Sequence, residues 1–189
     1  MFKKDPFGNY YFIKRMLILV LGFFTWFRFS RFNKVQVSGM ENLKKVENHG
    51  VLFVSNHQTY FAEVICMYHL FAAYKNGIIN KLPFPWYLLR PKVNLYFVAA
   101  VETMKAGIIP KLFAYAGSIS IKRTWREAGK NVNRKVDLKD ISNIGKALDD
   151  GWVITFPQGT TTPYVPGRRG TAHIIKKYNP IVVPIAIDG

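Results

Sequence analysis

Val51-Leu52-Phe53-Val54-Ser55-Asn56-His57 is the stretch on which the fold turns. Its first four residues are apolar and uncharged, bounded by Gly50 and Asn56, and read as a strand buried inside a sheet. Reading outward, short β-rich runs alternate with helical stretches. Val35-Gln36-Val37, closed by Ser38-Gly39, reads as a first short strand; Phe61 to Tyr74 reads as a helix, Leu95 to Val101 as a strand and Lys105 to Tyr115 as a helix. Gly117 precedes a strand at Ser118 to Ile121. Asp137 to Leu148 carries Ile141, Ile144 and Leu148 at helical spacing, Gly151 caps it, and Trp152 to Phe156 is strand again. Thr171 to Tyr178 predicts a short helix and Ile181 to Ile187 a final strand. That alternation is the pattern of an α/β domain. The chain stops at Asp188-Gly189 directly after a strand, which predicts that the C-terminus of a longer protein is missing.

With 189 residues, 49% of them hydrophobic, the chain can bury one substantial core. Disorder and fibrous repeats are excluded. Lys and Arg number 27 against 11 Asp and Glu, a formal charge of +16, which favours an anionic partner: nucleic acid, an anionic membrane surface or a phosphate-bearing substrate. Cys66, the single cysteine, rules out an internal disulfide framework and any multi-cysteine metal site.

Residues 1–34 form a distinct segment, with seven Lys or Arg against Asp5 alone. Within it Met16 to Phe27, MLILVLGFFTWF, is twelve residues without a charge, with Lys14-Arg15 before it, Arg28 and Arg31 after it, and Tyr10, Tyr11, Phe12 and Trp26 at its margins. A span of the hydrocarbon core takes about 20 apolar residues, so the run is too short to cross unaided. It suits a helix lying in one leaflet with its cations at the headgroups, an ordinary buried helix being the alternative. A cleavable signal peptide fits poorly, because bulky, basic WFRFSRF follows where small residues are needed. The segment thus predicts a peripheral or monotopic protein on the cytoplasmic face of the cell membrane, and residues 35–189 are expected to form the α/β domain that follows it.

Chemistry is expected where strands end. His57 follows VLFV and can take a proton from an alcohol, and Glu63 six positions on can hold one ring nitrogen. From the residues alone, a structural histidine beside a carboxylate remains the alternative. After WVITF comes Pro157-Gln158-Gly159-Thr160-Thr161-Thr162-Pro163, then Gly167-Arg168-Arg169-Gly170 leading into a helix. Glycine admits a ligand close to the backbone, the threonines offer hydroxyls, and a helix N-terminus with arginines can hold a phosphate. Lys122 and Arg123 stand at a third strand end, opening a run with five further Lys or Arg by Lys139. The bland readings are a proline-rich surface loop and a solvated basic face.

NHQTYFAEV, SISIKR, FPQGTT and IVVPIAI, in this order, resemble the four blocks of the glycerolipid acyltransferase family, which includes the 1-acylglycerol-3-phosphate acyltransferases. The resemblance covers about residues 35 to 189 and implies a mixed sheet flanked by helices. It implies that His57 is the base and that Asn56 before it is one of the substrate-binding residues. It implies that Arg123, with Gly159 and its neighbours Gln158, Thr160 and Thr161, binds the acceptor's phosphate and shapes the site, and that Pro184 belongs to the apolar fourth block. Two departures stand out. The family's Asp five residues after the histidine is Ala62 here, with Glu63 one residue late. The third block's usual Phe-Pro-Glu-Gly-Thr-Arg has Gln158 for Glu and Thr161 for Arg. Arg168, Arg169 or Lys122 then compensates, or the acceptor is another lysolipid, such as an acylated amino acid.

The expected reaction is direct acyl transfer. His57 deprotonates an acceptor hydroxyl, the alkoxide attacks the thioester of acyl-CoA or acyl-carrier protein, and thiolate leaves; Glu63 fixes the imidazole tautomer. Oxyanion donors are expected among backbone N–H groups near Gly159. No metal or further cofactor is required. Cys66, in an apolar helix, is a poor nucleophile, and His69 and His173 read as packing residues. A nucleic-acid-binding module, lacking any zinc-finger spacing or aromatic RNA-binding motif, is the weaker rival, so no nucleic-acid partner is expected. A catalytically silent lipid-binding homologue is the second rival.

Overall fold

The computed structural model describes residues 3–105, 107–123, 126–127, 130–132 and 137–188. Helices packed on both faces of a central sheet build a three-layer α/β/α sandwich. Its centre is a five-stranded sheet of β1 (Val51–Ser55), β2 (Leu95–Ala100), β3 (Ser118–Ile121), β6 (Trp152–Thr155) and β7 (Ile181–Ile185), in the order β3-β2-β6-β1-β7. Every pairing is parallel. The mixed sheet expected from the resemblance is therefore corrected to a parallel one; antiparallel pairing lies outside it, in the two-residue ribbon β4 (Arg126–Glu127) and β5 (Lys130–Asn131) and in an isolated bridge between Lys4 and Tyr10. Strands buried on both faces explain why VLFV and WVITF carry no polar alternation.

Successive strand residues feed opposite cores. Val51, Phe53, Leu95, Phe97, Trp152 and Ile154 point to one face, where α2 (Ala62–Lys75) adds Val64, Met67, Tyr68 and Phe71. Leu52, Tyr96 and Val153 point to the other, where α5 (Leu138–Asp150) and α6 (Arg169–Tyr178) add Ile144, Leu148 and Ile174. Local signals set the helix ends. Asp137 caps α5 by accepting the Lys139 N–H at 2.9 Å, and Asn179 ends α6 in the left-handed region at φ 45°. Gly151 makes the turn from α5 to β6 against the start of β2, where a Cβ would come within 2.2 Å of the Asn94 carbonyl oxygen. The helix predicted over 105–115 is divided: α3 (Val101–Lys105) and α4 (Ile108–Tyr115) flank Gly107.

Val35–Val37 is not a strand. Three alternating residues carry no more than a β preference, and among the described residues no strand takes them as a partner; a 3-10 turn over Met40–Lys45 follows and buries Met40 and Leu43.

The N-terminal segment forms α1 (Tyr11–Phe27), a 17-residue helix. Its packing is inverted relative to a helix of a soluble core. Tyr11, Lys14, Ile18, Gly22 and Thr25, spaced three and four apart, face the domain. The Tyr11 hydroxyl donates to Asp150, the Lys14 ammonium lies 3.7 Å from the centre of the Tyr96 ring, and Thr25 Oγ1 is 3.1 Å from His69 Nε2. Burial pulls the Lys14 ammonium down to about 8, against the opposing pull of Asp5 and Asp150. Outward point Phe12, Ile13, Met16, Val20, Phe23, Phe24 and Phe27, all exposed. Among the described residues no helix is long and apolar enough to cross a membrane.

Candidate active site

Because all five strands run the same way, their carboxyl ends open on one edge. There the segments after β1, β2, β3 and β6, with the first turns of α5 and α6, enclose a cleft of about 1300 Å³. His57 lines it from the β1 loop. The imidazole stacks on Phe156, the residue after β6, with ring centres 4.3 Å apart at 25°. Its Nδ1 is buried and 3.7 Å from Glu63 Oε2, an ion-pair distance just outside hydrogen-bond reach. Apo acid–base sites are often this loose and tighten when substrate closes them.

Glu63 is held more firmly than the histidine it faces. It is buried on the first turn of α2, where Oε1 accepts the N–H groups of Gln58, at 2.5 Å, and Thr59, and Oε2 accepts the Thr59 hydroxyl at 2.5 Å. Thr59 Oγ1 in turn accepts the Ala62 N–H at 3.0 Å, which starts the helix. The position of the family Asp is thus the first residue of α2, and the extra methylene of glutamate turns back from the second. Burial opposes the charge of Glu63, but neighbouring His57 and the bonds from Thr59 prevail and carry the carboxyl down from 4.5 to about 2. The sign of the linkage follows: this group stabilises the fold fully above pH 4.5, and that contribution is lost as the pH falls toward about 2. Glu63→Gln should therefore lose less stability than the wild type between pH 6 and pH 3, read from urea midpoints at the two pH values; equal losses would mean that the carboxylate carries no such contribution.

Of the sequence-predicted ligands, Lys122, Arg123, Gly159, Thr160, Thr161 and Arg168 line the same cleft as His57. Asn56 and Gln158 do not, because both amides are spent on the scaffold. Asn56 Nδ2 donates to the Ile187 carbonyl and Oδ1 accepts the Ile187 N–H, each at 2.7 Å, clamping the end of β1 to the chain after β7. Gln158 Nε2 donates to the Val165 carbonyl at 2.9 Å, closing the 157–168 loop on itself. Arg168 also braces that loop, its Nε donating to the Gln158 carbonyl at 3.3 Å. Gly159 sits at φ 63°, in the left-handed region, and its own N–H donates to the Phe156 carbonyl at 3.0 Å. The oxyanion donor expected near Gly159 is therefore not Gly159 itself. The first residues of α6, Arg169, Gly170 and Thr171, line the cleft, so the positive end of a ten-residue helix lies there. Pro184 stands on edge strand β7, in register with Val54. Of the basic run from Lys122 to Lys139, positions 124–125, 128–129 and 133–136 lie outside the described residues.

His173 departs from the packing role read for it: it is exposed and lines the cleft from α6, one residue before the buried Ile174. His69 keeps that role, buried between Thr25 of α1 and the Tyr87 hydroxyl, 2.9 Å from its Nδ1, with burial pulling its pKa down to about 4. Burial, with Glu63 nearby, pushes the Cys66 thiol up to about 12, an unreactive group at neutral pH. Sequence reading missed two acids of the cleft, Glu102 and Asp140. Asp140 accepts the Lys122 N–H at 2.8 Å, and burial raises its pKa. No motif marks either position.

A histidine and an ionised carboxylate at the carboxyl edge of a parallel sheet, in a cleft lined by cations and threonines, form a general-base site suited to activating a hydroxyl. The chain belongs to the acyltransferase family, whose model matches residues 34–188 and so takes in every cleft residue named above. Comparison with curated proteins and with solved structures returned no match to either. Family membership makes acyl transfer the general activity of the chain.

Proposed function

We propose that the protein moves a fatty acyl group from acyl-CoA or acyl-carrier protein to the hydroxyl of a lysolipid at a membrane surface, with 1-acylglycerol-3-phosphate as the acceptor. The observation that carries the reading is the His57–Glu63 pair opening on a cleft whose other walls hold Lys122, Arg123 and Arg168. Glu63 holds the Nδ1 side of the imidazole and leaves Nε2 as base. Nε2 takes the hydroxyl proton as the acceptor oxygen bonds to the thioester carbonyl carbon. The tetrahedral oxyanion then collapses, the carbon–sulfur bond breaks, and the thiolate leaves with the proton that His57 returns. The cations hold the acceptor phosphate, and the positive end of α6 adds to their field. Val64, Phe97 and Ile144, apolar residues of the cleft wall, suit an acyl chain.

A second acceptor is favoured by one observation. Thr161 stands where the family carries an arginine, and Glu102 and Asp140 bring carboxylates to the cleft. A lysolipid with an amino-acid headgroup offers an ammonium for them and a hydroxyl for His57. Purified full-length protein with a labelled thioester and a panel of lysolipids decides between the two. Turnover of 1-acylglycerol-3-phosphate, with KM raised about tenfold or more in Arg123→Ala, is the expected result; turnover of the acylated amino acid alone would assign the second acceptor. Absence of turnover with every acceptor would support the catalytically silent homologue.

A further inference from the structure

Between α2 and β2 the chain makes a 3-10 helix, Pro85–Leu89, that no periodicity in the sequence marks. Three residues per turn place Trp86 and Leu89 on one side, and both face solvent, 70% and 58% exposed. Tyr87 and Leu88 take the opposite side and are buried at 4% and 2%. The turn is rigidly mounted. Trp26 Nε1 of α1 donates to the Pro83 carbonyl at 2.8 Å, and Asn76 Nδ2 donates to the Ala72 and Arg90 carbonyls, both at 2.8 Å. Leu88 packs so close to α1 that a Cβ at Gly22 would come within 2.5 Å of it. Phe84 joins the turn to the outer face of α1, with ring centres 5.1 Å from Trp26 and 5.9 Å from Phe23. Trp86 packs on Phe84 at 5.2 Å, so the apolar face of α1 continues across the turn.

Charge identifies what this face meets. Residues 6–40 and 64–101, which supply it, contain no Asp or Glu. Arg15, Arg28, Arg31, Lys81, Arg90 and Lys92 are all exposed. A continuous apolar face with aromatic residues, whose own segments carry exposed cations and no carboxylate, matches the boundary between the acyl chains and headgroups of an anionic bilayer. Exposed Glu41 is the acid that meets these segments at the surface, accepting from Asn80 Nδ2 at 2.9 Å beside Lys81.

We propose that the Phe84–Leu89 turn is a second membrane-insertion element, which with α1 fixes the catalytic domain to an anionic bilayer at two points. The proposal rests on the reading that the protein works at a membrane surface. Two attachments on a rigid frame set the tilt of the domain, which a single helix lying in the interface leaves free to roll.

The test is sedimentation of the full-length protein with vesicles of equal parts phosphatidylglycerol and phosphatidylcholine. Trp86→Ser/Leu89→Ser removes the outward side chains and leaves Phe84, Tyr87 and Leu88 in place; its thermal midpoint should match the wild type. Its vesicle partition coefficient should fall about tenfold or more. A label on Trp86→Cys in a Cys66→Ala background should shift to an apolar emission on vesicle binding and be quenched by lipids labelled in their acyl chains. Wild-type sedimentation with undiminished binding of Trp86→Ser/Leu89→Ser and no quenching at position 86 would overturn the proposal and leave the membrane reading standing. Failure of the wild type to sediment with any vesicle would remove that reading itself. A dimer that the double substitution dissociates, with no vesicle binding, would assign the face to a second copy of the chain and also overturn the proposal.

Discussion

Replacing His57 by alanine is expected to lower kcat/KM for acyl transfer by about a hundredfold to ten-thousandfold, the range that a positioned general base contributes. The fold should survive the change. His57 contributes a stack on Phe156 and a 3.7 Å approach to Glu63, whereas Glu63 keeps its bonds to Gln58 and Thr59 when the ring is gone. Activity and stability should therefore separate: the rate collapses while the thermal midpoint moves little. Initial rates with a labelled thioester over a range of acceptor concentrations measure the first, and circular dichroism the second. Equal activity of wild type and His57→Ala would mean that another group takes the proton.

Trp152→Ala is expected to act the other way, through stability. Trp152 opens β6 with no exposed surface, its Nε1 donates to the Glu47 carbonyl at 2.6 Å, and its ring lies 5.1 Å from Phe53 and 5.2 Å from Phe71. The Lys75 ammonium sits 4.4 Å from the ring centre on the same side of the sheet. Truncation removes the largest side chain of the core, leaves the Glu47 carbonyl without that donor and opens a cavity. Together these cost about 3–5 kcal/mol. Domains of this size hold about 5–15 kcal/mol in all. The urea midpoint should fall steeply, and Trp152→Phe, which keeps most of the volume, should recover more than half of the loss. A loss below about 1 kcal/mol would show that the core closes over the gap.

The central strands were legible because a buried strand announces itself locally: VLFV, LYFVAA and WVIT are uncharged runs between turn signals. Their order was not legible. β1 lies between β6 and β7, pairings of long sequence separation that no local pattern encodes. The same asymmetry governs the site. His57 and Glu63 stand six residues apart and could be joined from the sequence, and the loop after WVITF was recognisable by composition. Asn56 was read as a ligand because its partner, Ile187, lies far along the chain, so nothing near it hinted that both its amide atoms were occupied. Thr59 was passed over since its value lies in bonds to Glu63 and Ala62 that exist once the turn has formed. Glu102 and Asp140 belong to helix starts whose position over the cleft is set by the tertiary fold. Val35–Val37 shows the opposite error, a local preference that no neighbouring strand takes up.

The strand order has a consequence for how the chain is made. β1, which presents His57, is synthesised before either of its neighbours: Val51 pairs with Trp152 and Ile181, roughly 100 and 130 residues later. At about 5–20 residues per second, that apolar strand spends on the order of 5 to 20 s with neither edge paired. Pairings of such separation also form slowly, because the loop entropy is lost before any contact rewards it. The nascent chain meets this interval with α1 already synthesised, a helix whose own apolar face is turned outward. Among the strands of the sheet β1 thus waits longest for a first partner, and expression yield should depend on chaperone supply more steeply than the stability of the finished fold would suggest.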